Sequence, residues 1–335
     1  MTPSLLSNAR HYLVTGGCGF IGSHLVDALV AKGHRVTVLD DLSTGKKENL
    51  NAAASLIIGD TTDYETVARA FAGIDGCFHL AAVASVEKSN TDWVRTHSVN
   101  ITSTVNVFQA AARAHGRVPV VYTSSAAVYG DCATVPIFED AEKKPLTAYG
   151  VDKLACDLHA RVGWHVHGIP NIGLRPFNIY GPRQDPASPY SGVISIFFDR
   201  MRQGMPITIY GDGMQMRDFV YVADAVKAFV AAMDKLEREP VGHDEINICS
   251  GRPTSIQNLA DIIAALMGYA LIYNYAPARK GDIRISIGDA MRLHRHLGVS
   301  LNISLREGLM AMMGGAKPSV RPDILDEGYE ETKAA

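Results

Sequence analysis

Tyr149 and Lys153 stand four residues apart in the segment Tyr149-Gly-Val-Asp-Lys153. On a helix, residues at i and i+4 share a face, so the lysine ammonium can lie beside the tyrosine oxygen and favour its phenolate form. Such a pair can take a proton from a hydroxyl. Upstream, Val120-Val-Tyr-Thr-Ser-Ser125 reads as a strand whose C-terminal edge delivers Ser124 and Ser125 to the crevice where open α/β sheets bind ligands. A second constellation lies in Leu13-Val-Thr-Gly-Gly-Cys-Gly-Phe-Ile-Gly22, where Gly16, Gly19 and Gly22 recur every third residue, Phe20 lies within the turn and a helix opens at Ile21. The missing Cβ atoms let a pyrophosphate approach the backbone, and the helix N-terminus supplies amide donors. Asp40 follows Gly22 by 18 residues at the end of the second strand, close to the ~20 expected for a carboxylate on an adenosine ribose. That carboxylate accepts from the 2′-hydroxyl of NAD and repels the 2′-phosphate of NADP; Lys46 and Lys47, nearby in sequence, could soften that preference but read as solvated loop lysines. A Ser, a Tyr and a Lys beside a nicotinamide form a hydride-transfer site.

These groups need a scaffold. The β-branched runs at 11–15, 35–39, 56–58, 77–80, 118–123 and 172–174 predict buried strands alternating with helices. The fold expected is α/β: a Rossmann-like doubly wound parallel sheet with a smaller C-terminal α/β substrate-binding lobe. Helices are expected at 21–31, at 93–115 with Asp92 as cap and Gly116 as stop, and at 149–167 ended by Gly168. In the second, Val94, Ile101, Val105, Phe108 and Ala112 predict a stripe that packs on the sheet. In the third, Val151, Ala155, Leu158, Val162 and Val166 form a flank that suits either the core or a partner subunit. The four prolines 176, 182, 186 and 189 make 175–190 a loop that leaves the sheet, and further helices are expected at 223–237, 256–267 and 305–313. The resulting division is an NAD-binding Rossmann domain over 1–175, with the chain recrossing at approximately 210–250. A mainly substrate-binding lobe over 176–320 and a polar tail over 321–335 complete it.

The 335 residues are 47% hydrophobic and 20% charged, and 32 Lys plus Arg against 35 Asp plus Glu leave a formal charge of −3. With no basic patch, neither nucleic acid nor an anionic membrane is an expected partner, and no apolar run reaches the ~18 residues of a membrane span. The five cysteines, 18, 77, 132, 156 and 249, form no Cys-x-x-Cys pair and read as buried hydrophobes of a cytoplasmic protein. No metal is expected: the histidine pairs 165/167 and 294/296 have a spacing that points them to different helix faces.

The order Thr-Gly-Gly-x-Gly-Phe-Ile-Gly, Gly59-Asp60, His79-Leu-Ala-Ala82, Ser124-Ser-Ala-Ala-Val-Tyr-Gly130, Tyr149-x-x-x-Lys153 and Arg175-Pro-Phe-Asn-Ile-Tyr-Gly-Pro-Arg183 resembles the extended short-chain dehydrogenase/reductases, specifically the nucleotide-sugar 4-epimerases, over about 10–313. The resemblance implies a catalytic trio of Ser125, Tyr149 and Lys153, with Tyr149 as base. It implies NAD contacts by Asp60 and Thr61 to the adenine, by Leu80, Ala81 and Ala82 along the cofactor, by Ser124, and by Asn100 as a support. For a UDP-sugar substrate it implies Asn178, Arg217, Arg279 and Asp282, with Ser286 at a gatekeeper position that is a bulky Tyr in relatives restricted to glucose and galactose. A small residue there leaves room for a 2-acetamido group, which favours UDP-GlcNAc/UDP-GalNAc with UDP-glucose/UDP-galactose as further substrates. Relatives that dehydrate or decarboxylate carry an acid two places after the catalytic hydroxyl, where this chain has Ala127. Asp185 is expected to repel a sugar carboxylate. The alternatives are an epimerase restricted to UDP-glucose, a dehydratase or decarboxylase, and a binding protein that senses the dinucleotide. A homodimer is also implied.

Overall fold

Six of the seven parallel strands of the main sheet follow from the alternation read above; the seventh, at His243–Ile248, is not among the predicted runs. A computed structural model describes residues 9–186, 192–239, 242–269, 272–279 and 282–314. Pro189 and the expected tail over 321–335 lie outside them. In chain order, β1 (His11–Thr15) leads through the glycine turn into α1 (Phe20–Ala31), followed by β2 (Arg35–Asp40), β3 (Ser55–Ile58), α2 (Tyr64–Ala70) and β4 (Gly76–His79). Helices α3 (Val86–Thr91), α4 (Trp93–His97) and α5 (Ser103–Arg113) precede β5 (Val120–Thr123), and α6 (Ala148–His167) precedes β6 (Asn171–Pro176). The sheet order is β3-β2-β1-β4-β5-β6, extended by β10 (His243–Ile248) beside β6, and every pairing is parallel. Between these, the chain passes through β7 (Asn178–Tyr180), α7 (Val193–Arg202), β8 (Ile207–Tyr210), β9 (Met216–Tyr221) and α8 (Val222–Arg238).

After β10 come β11 (Pro253–Ser255), α9 (Ile256–Met267), β12 (Tyr273–Ala276), β13 (Ile285–Ser286), α10 (Met291–Leu297) and α11 (Leu305–Met312). Strand β9 is the hub here: its first residues sit between antiparallel β11 and parallel β13, and its last three pair with β7. A parallel sheet buried on both faces needs a core on each. One contains Val14, Leu25, Val38, Phe229 and Ile263, joining α1 and α8 to α7 and α9; the other contains Leu13, Val67, Val107, Phe108 and Ala160 under α2, α5 and α6. Local signals fix the ends of elements: Asp63 caps α2, accepting from Glu65 and Thr66 amides, and Gly168 ends α6 with φ +65°.

One helical expectation is corrected and one open choice is narrowed. The helix expected over 93–115 is interrupted by a π turn at Ser98–Thr102 and ends at Arg113, and Asp92 makes no side-chain cap. The extra residue of a π turn rotates everything beyond it, so positions before and after cannot share one stripe. Ile101 and Phe108 are buried, whereas Val94 is 84% and Val105 37% exposed and Ala112 also faces out. On α6 the apolar flank is not core either: Val151, Leu158, Val162 and Val166 are half or more exposed. The inner face instead carries Tyr149, Lys153, Asp157 and Gly163, where a Cβ at Gly163 would fall 2.7 Å from the Phe108 ring.

Candidate active site

At the C-terminal edge of the sheet, between β1 and β4, the crevice opens into a cavity of about 430 Å³. The glycine turn forms its floor. Gly16 has φ +71°, and a Cβ there would lie 2.8 Å from the Ala81 amide; at Gly22 it would overlap the Gly16 carbonyl oxygen. Helix α1 has Gly19 as its N-cap residue and so no side-chain cap, and its first turn, with Phe20, Ile21 and Gly22 on the wall, presents free polarity to an anion. Asp40, on the wall at the end of β2, accepts from the Cys18 and Leu42 amides at 2.9 Å each. Burial pushes its carboxyl up from the ordinary carboxylate range, and the two amide bonds work against that shift. The set fits NAD: a backbone cradle for the pyrophosphate and a carboxylate for a 2′-hydroxyl.

Asp60 and Thr61 line the same end. Asn106 on α5 donates to the Thr61 and Thr62 carbonyls, and Ser103 meets Thr61 Oγ1 at 2.7 Å, so α5 fixes this turn. Leu80, Ala81 and Ala82 form the middle of the wall. Beneath them His79 bridges Thr15 Oγ1 at 2.8 Å and Thr104 Oγ1 at 3.2 Å, and Thr15 also accepts from the Leu80 and Ala81 amides. Burial first, and the Lys153 charge second, hold the His79 imidazole down to about 3, so the ring is neutral.

The far end brings Ser125, Tyr149, Lys153 and Asn178 onto the wall together. Thr147 caps α6 by accepting from the Gly150 amide, so Tyr149 and Lys153 project from its first turns. Lys153 Nζ donates to the Thr123 carbonyl at 2.7 Å and lies 5.9 Å from the Tyr149 ring centroid. Ser125 Oγ accepts from the Ala127 amide at 3.1 Å. Asn100 and Ser124 are not on this wall. Asn100 is buried behind it, holding Val83 through both the amide and the carbonyl and donating to Asp152. Ser124 is fully buried on the side of Asp157 and Arg175, whose guanidinium also meets Tyr129 and the Glu139 carbonyl.

Arg217, Arg279, Asp282 and Ser286 also lie off the cavity wall. Arg217 Nη1 donates to the Ile283 and Met216 carbonyls, and its Nη2 meets Asp282 at 2.5 Å. A guanidinium has five N–H donors, so these three bonds leave two for a ligand. Asp282, a carboxylate, acts on the arginine and is itself unsuited to a diphosphate. Ser286 is paired with Arg217 across β13 and β9, and the next segment bonds to Ile137, which packs with Val128 and Tyr129 just past Ser125. Arg279 is exposed and stacks over Tyr210 at 4.0 Å. Gly281 lies outside the described residues.

The NAD dependent epimerase/dehydratase family model matches residues 12–249, which span the glycine turn, the Ser-Tyr-Lys wall and β10. The chain belongs to that family. Among solved structures, this family member resembles the UDP-glucose 4-epimerase of Thermotoga maritima, solved with UDP-glucose, at a TM-score of 0.86 and 36% identity over 91% of this chain and 97% of that one. The UDP-N-acetylglucosamine 4-epimerase of Methanobrevibacter ruminantium M1, in complex with UDP-N-acetylmuramic acid, matches at 0.86 and 33% over 92% and 98%. The UDP-N-acetyl-alpha-D-glucosaminuronate decarboxylase of Bacillus cytotoxicus is 38% identical over 77% of this chain and 80% of its own length.

Several wall residues of this NAD-dependent family member escaped the sequence. Lys46 stays half exposed but is not unpartnered: its Nζ is 2.6 Å from Asp185 Oδ2, and both residues line the cavity. Asp185 is therefore matched by a cation, which weakens its expected repulsion of a sugar carboxylate. Arg183 pairs with Asp27 at 2.7 Å, and Lys88 and Arg95 line the cavity from α3 and α4. The signal for Lys46 was available, because the residues after a ribose-binding carboxylate must skirt the same ligand. None existed for the pairing itself, because Asp185, read only as facing the sugar, comes from a proline-rich loop remote in sequence.

Proposed function

We propose that the chain interconverts the C4 epimers of a UDP-hexose through a transient 4-keto sugar, acting on UDP-GlcNAc and UDP-GalNAc and also on UDP-glucose and UDP-galactose. The observation that carries this reading is the shared wall of Ser125, Tyr149 and Lys153 with Ala127 hydrogen-bonded to Ser125 Oγ, where dehydrating and decarboxylating relatives need an acid. Bound NAD supplies a reversible hydride acceptor at that wall. Tyr149 takes the C4-hydroxyl proton and later returns it, with the Lys153 ammonium one helical turn away, and Ser125 hydrogen-bonds the C4 oxygen. Arg217, oriented by Asp282, holds the diphosphate, and the small Ser286 beside it leaves room for an N-acetyl group.

Incubating the purified protein with each UDP-sugar separately and resolving products by NMR tests the proposal. Interconversion of GlcNAc and GalNAc forms is expected; turnover of the glucose form alone overturns the sugar preference, and release of water or CO₂ overturns the reaction class. Tyr149→Phe is expected to lower turnover at least ~10³-fold while NAD stays bound. The exposed apolar flank of α6, with Trp93, Val94 and Val105 on α4 and α5, supports a homodimer through these helices. Light scattering after Val162→Glu, expected to give monomers, checks it.

A further inference from the structure

Asp40 gives an incomplete account of why the cavity would prefer NAD, because a lysine stands close by. Gly45 abuts Asp40 so tightly that an added Cβ would lie 2.8 Å from Asp40 Oδ1, and Lys46 is the next residue, fixed by its amide to the Cys18 carbonyl at 3.0 Å. A lysine in that loop could offer its ammonium to a 2′-phosphate. Its Nζ is instead drawn to Asp185, from the segment that follows β7. Both residues line the cavity, with side chains 55% and 33% exposed, so neither is buried in a structural core and either could exchange its partner for a ligand.

We propose that Asp185 is a positioning residue for cofactor selectivity: by holding Lys46 it denies the Lys46 ammonium to the 2′-phosphate of NADP, leaving Asp40 unopposed. The idea rests on the dinucleotide reading of the cavity. It makes selectivity the joint property of one carboxylate that faces the ribose and a second that removes a competing cation. The pair also joins the loop after β2 to the loop after β7, so the neutral variant tests charge at nearly constant shape.

The test equilibrates the purified protein with NAD and NADP in competition and measures the nucleotide released by acid. Asp185→Asn is expected to lower the ratio of NADP to NAD dissociation constants about tenfold. Adding Lys46→Gln should return the ratio to that of the parent protein, and raising salt should erode the gain of the single variant. An unchanged ratio in Asp185→Asn overturns the proposal. So does an equal fall in the double variant, which would mark loosening of the loops in place of a freed lysine. Binding of neither nucleotide by the parent protein would overturn the dinucleotide reading along with it.

Discussion

The two ends of the cleft are built in different ways. At the cofactor end, the contacts come from backbone and from residues at strand edges that follow one another along β1, β2 and β4, each fixed by hydrogen bonds inside the sheet domain. At the end proposed for the sugar, Asn178 on β7 lines the cavity while Arg217 and Ser286 stand behind its wall on β9 and β13, and Arg217 depends on Asp282 and the Ile283 carbonyl for its orientation. The first end tolerates little change because its shape is the main chain. The second can be retuned one side chain at a time, which suits relatives whose named substrates differ in the sugar.

Four substitutions or conditions can break or sharpen that contrast. Gly22→Ala places a Cβ on the Gly16 carbonyl and should cost about 3 kcal/mol or more of stability together with nucleotide binding, read by thermal unfolding and acid release. A stable, fully loaded variant would show that the turn is not rigid. His79 marks the same end by pH. Its folded value of about 3 lies below the unfolded 6.5, so the unfolded chain takes up the proton first. Stability is full above the unfolded value and falls as pH drops from there toward about 3, by about 1.4 kcal/mol per pH unit. Denaturant midpoints between about pH 6 and 4 should show this slope, and His79→Asn should flatten it.

At the sugar end the effects should be smaller and confined to substrate. Arg217→Ala is expected to raise KM about thirtyfold, or about 2 kcal/mol, with NAD occupancy unchanged. Loss of NAD from that variant would show that the two ends are coupled. Ser286→Tyr should lower the N-acetyl substrate's kcat/KM about tenfold relative to glucose; an equal ratio would show that Ser286 is not the gate.

Legibility in the sequence followed the same division. The glycine spacing, Asp40 and the Tyr149–Lys153 pair were readable because each is local: three residues, one strand end, one helical turn. The strand alternation was readable because a parallel sheet buried on both faces needs uninterrupted β-branched runs. The apolar flank of α6 was the harder case, since hydrophobic periodicity says that a face is apolar without saying what covers it. Here the inward face is polar and small because it carries Lys153, Asp157 and Gly163, and the outward face keeps Val151, Leu158 and Val162. The π turn at Ser98–Thr102 left no compositional trace, so the stripe from Val94 to Ala112 could not be seen to break.

The sequence by itself determined most of the parallel sheet, the glycine cradle and the one-turn spacing of Tyr149 and Lys153, because hydrogen-bonding period and local spacing impose them. Tertiary structure alone decided that Lys46 is held by Asp185, that Arg217 is oriented by Asp282, and that Asn100 and Ser124 sit behind the wall. Those outcomes depend on which distant loops meet at one edge of the sheet, and a charge or an amide has no preferred partner until the fold brings one within about 3 Å.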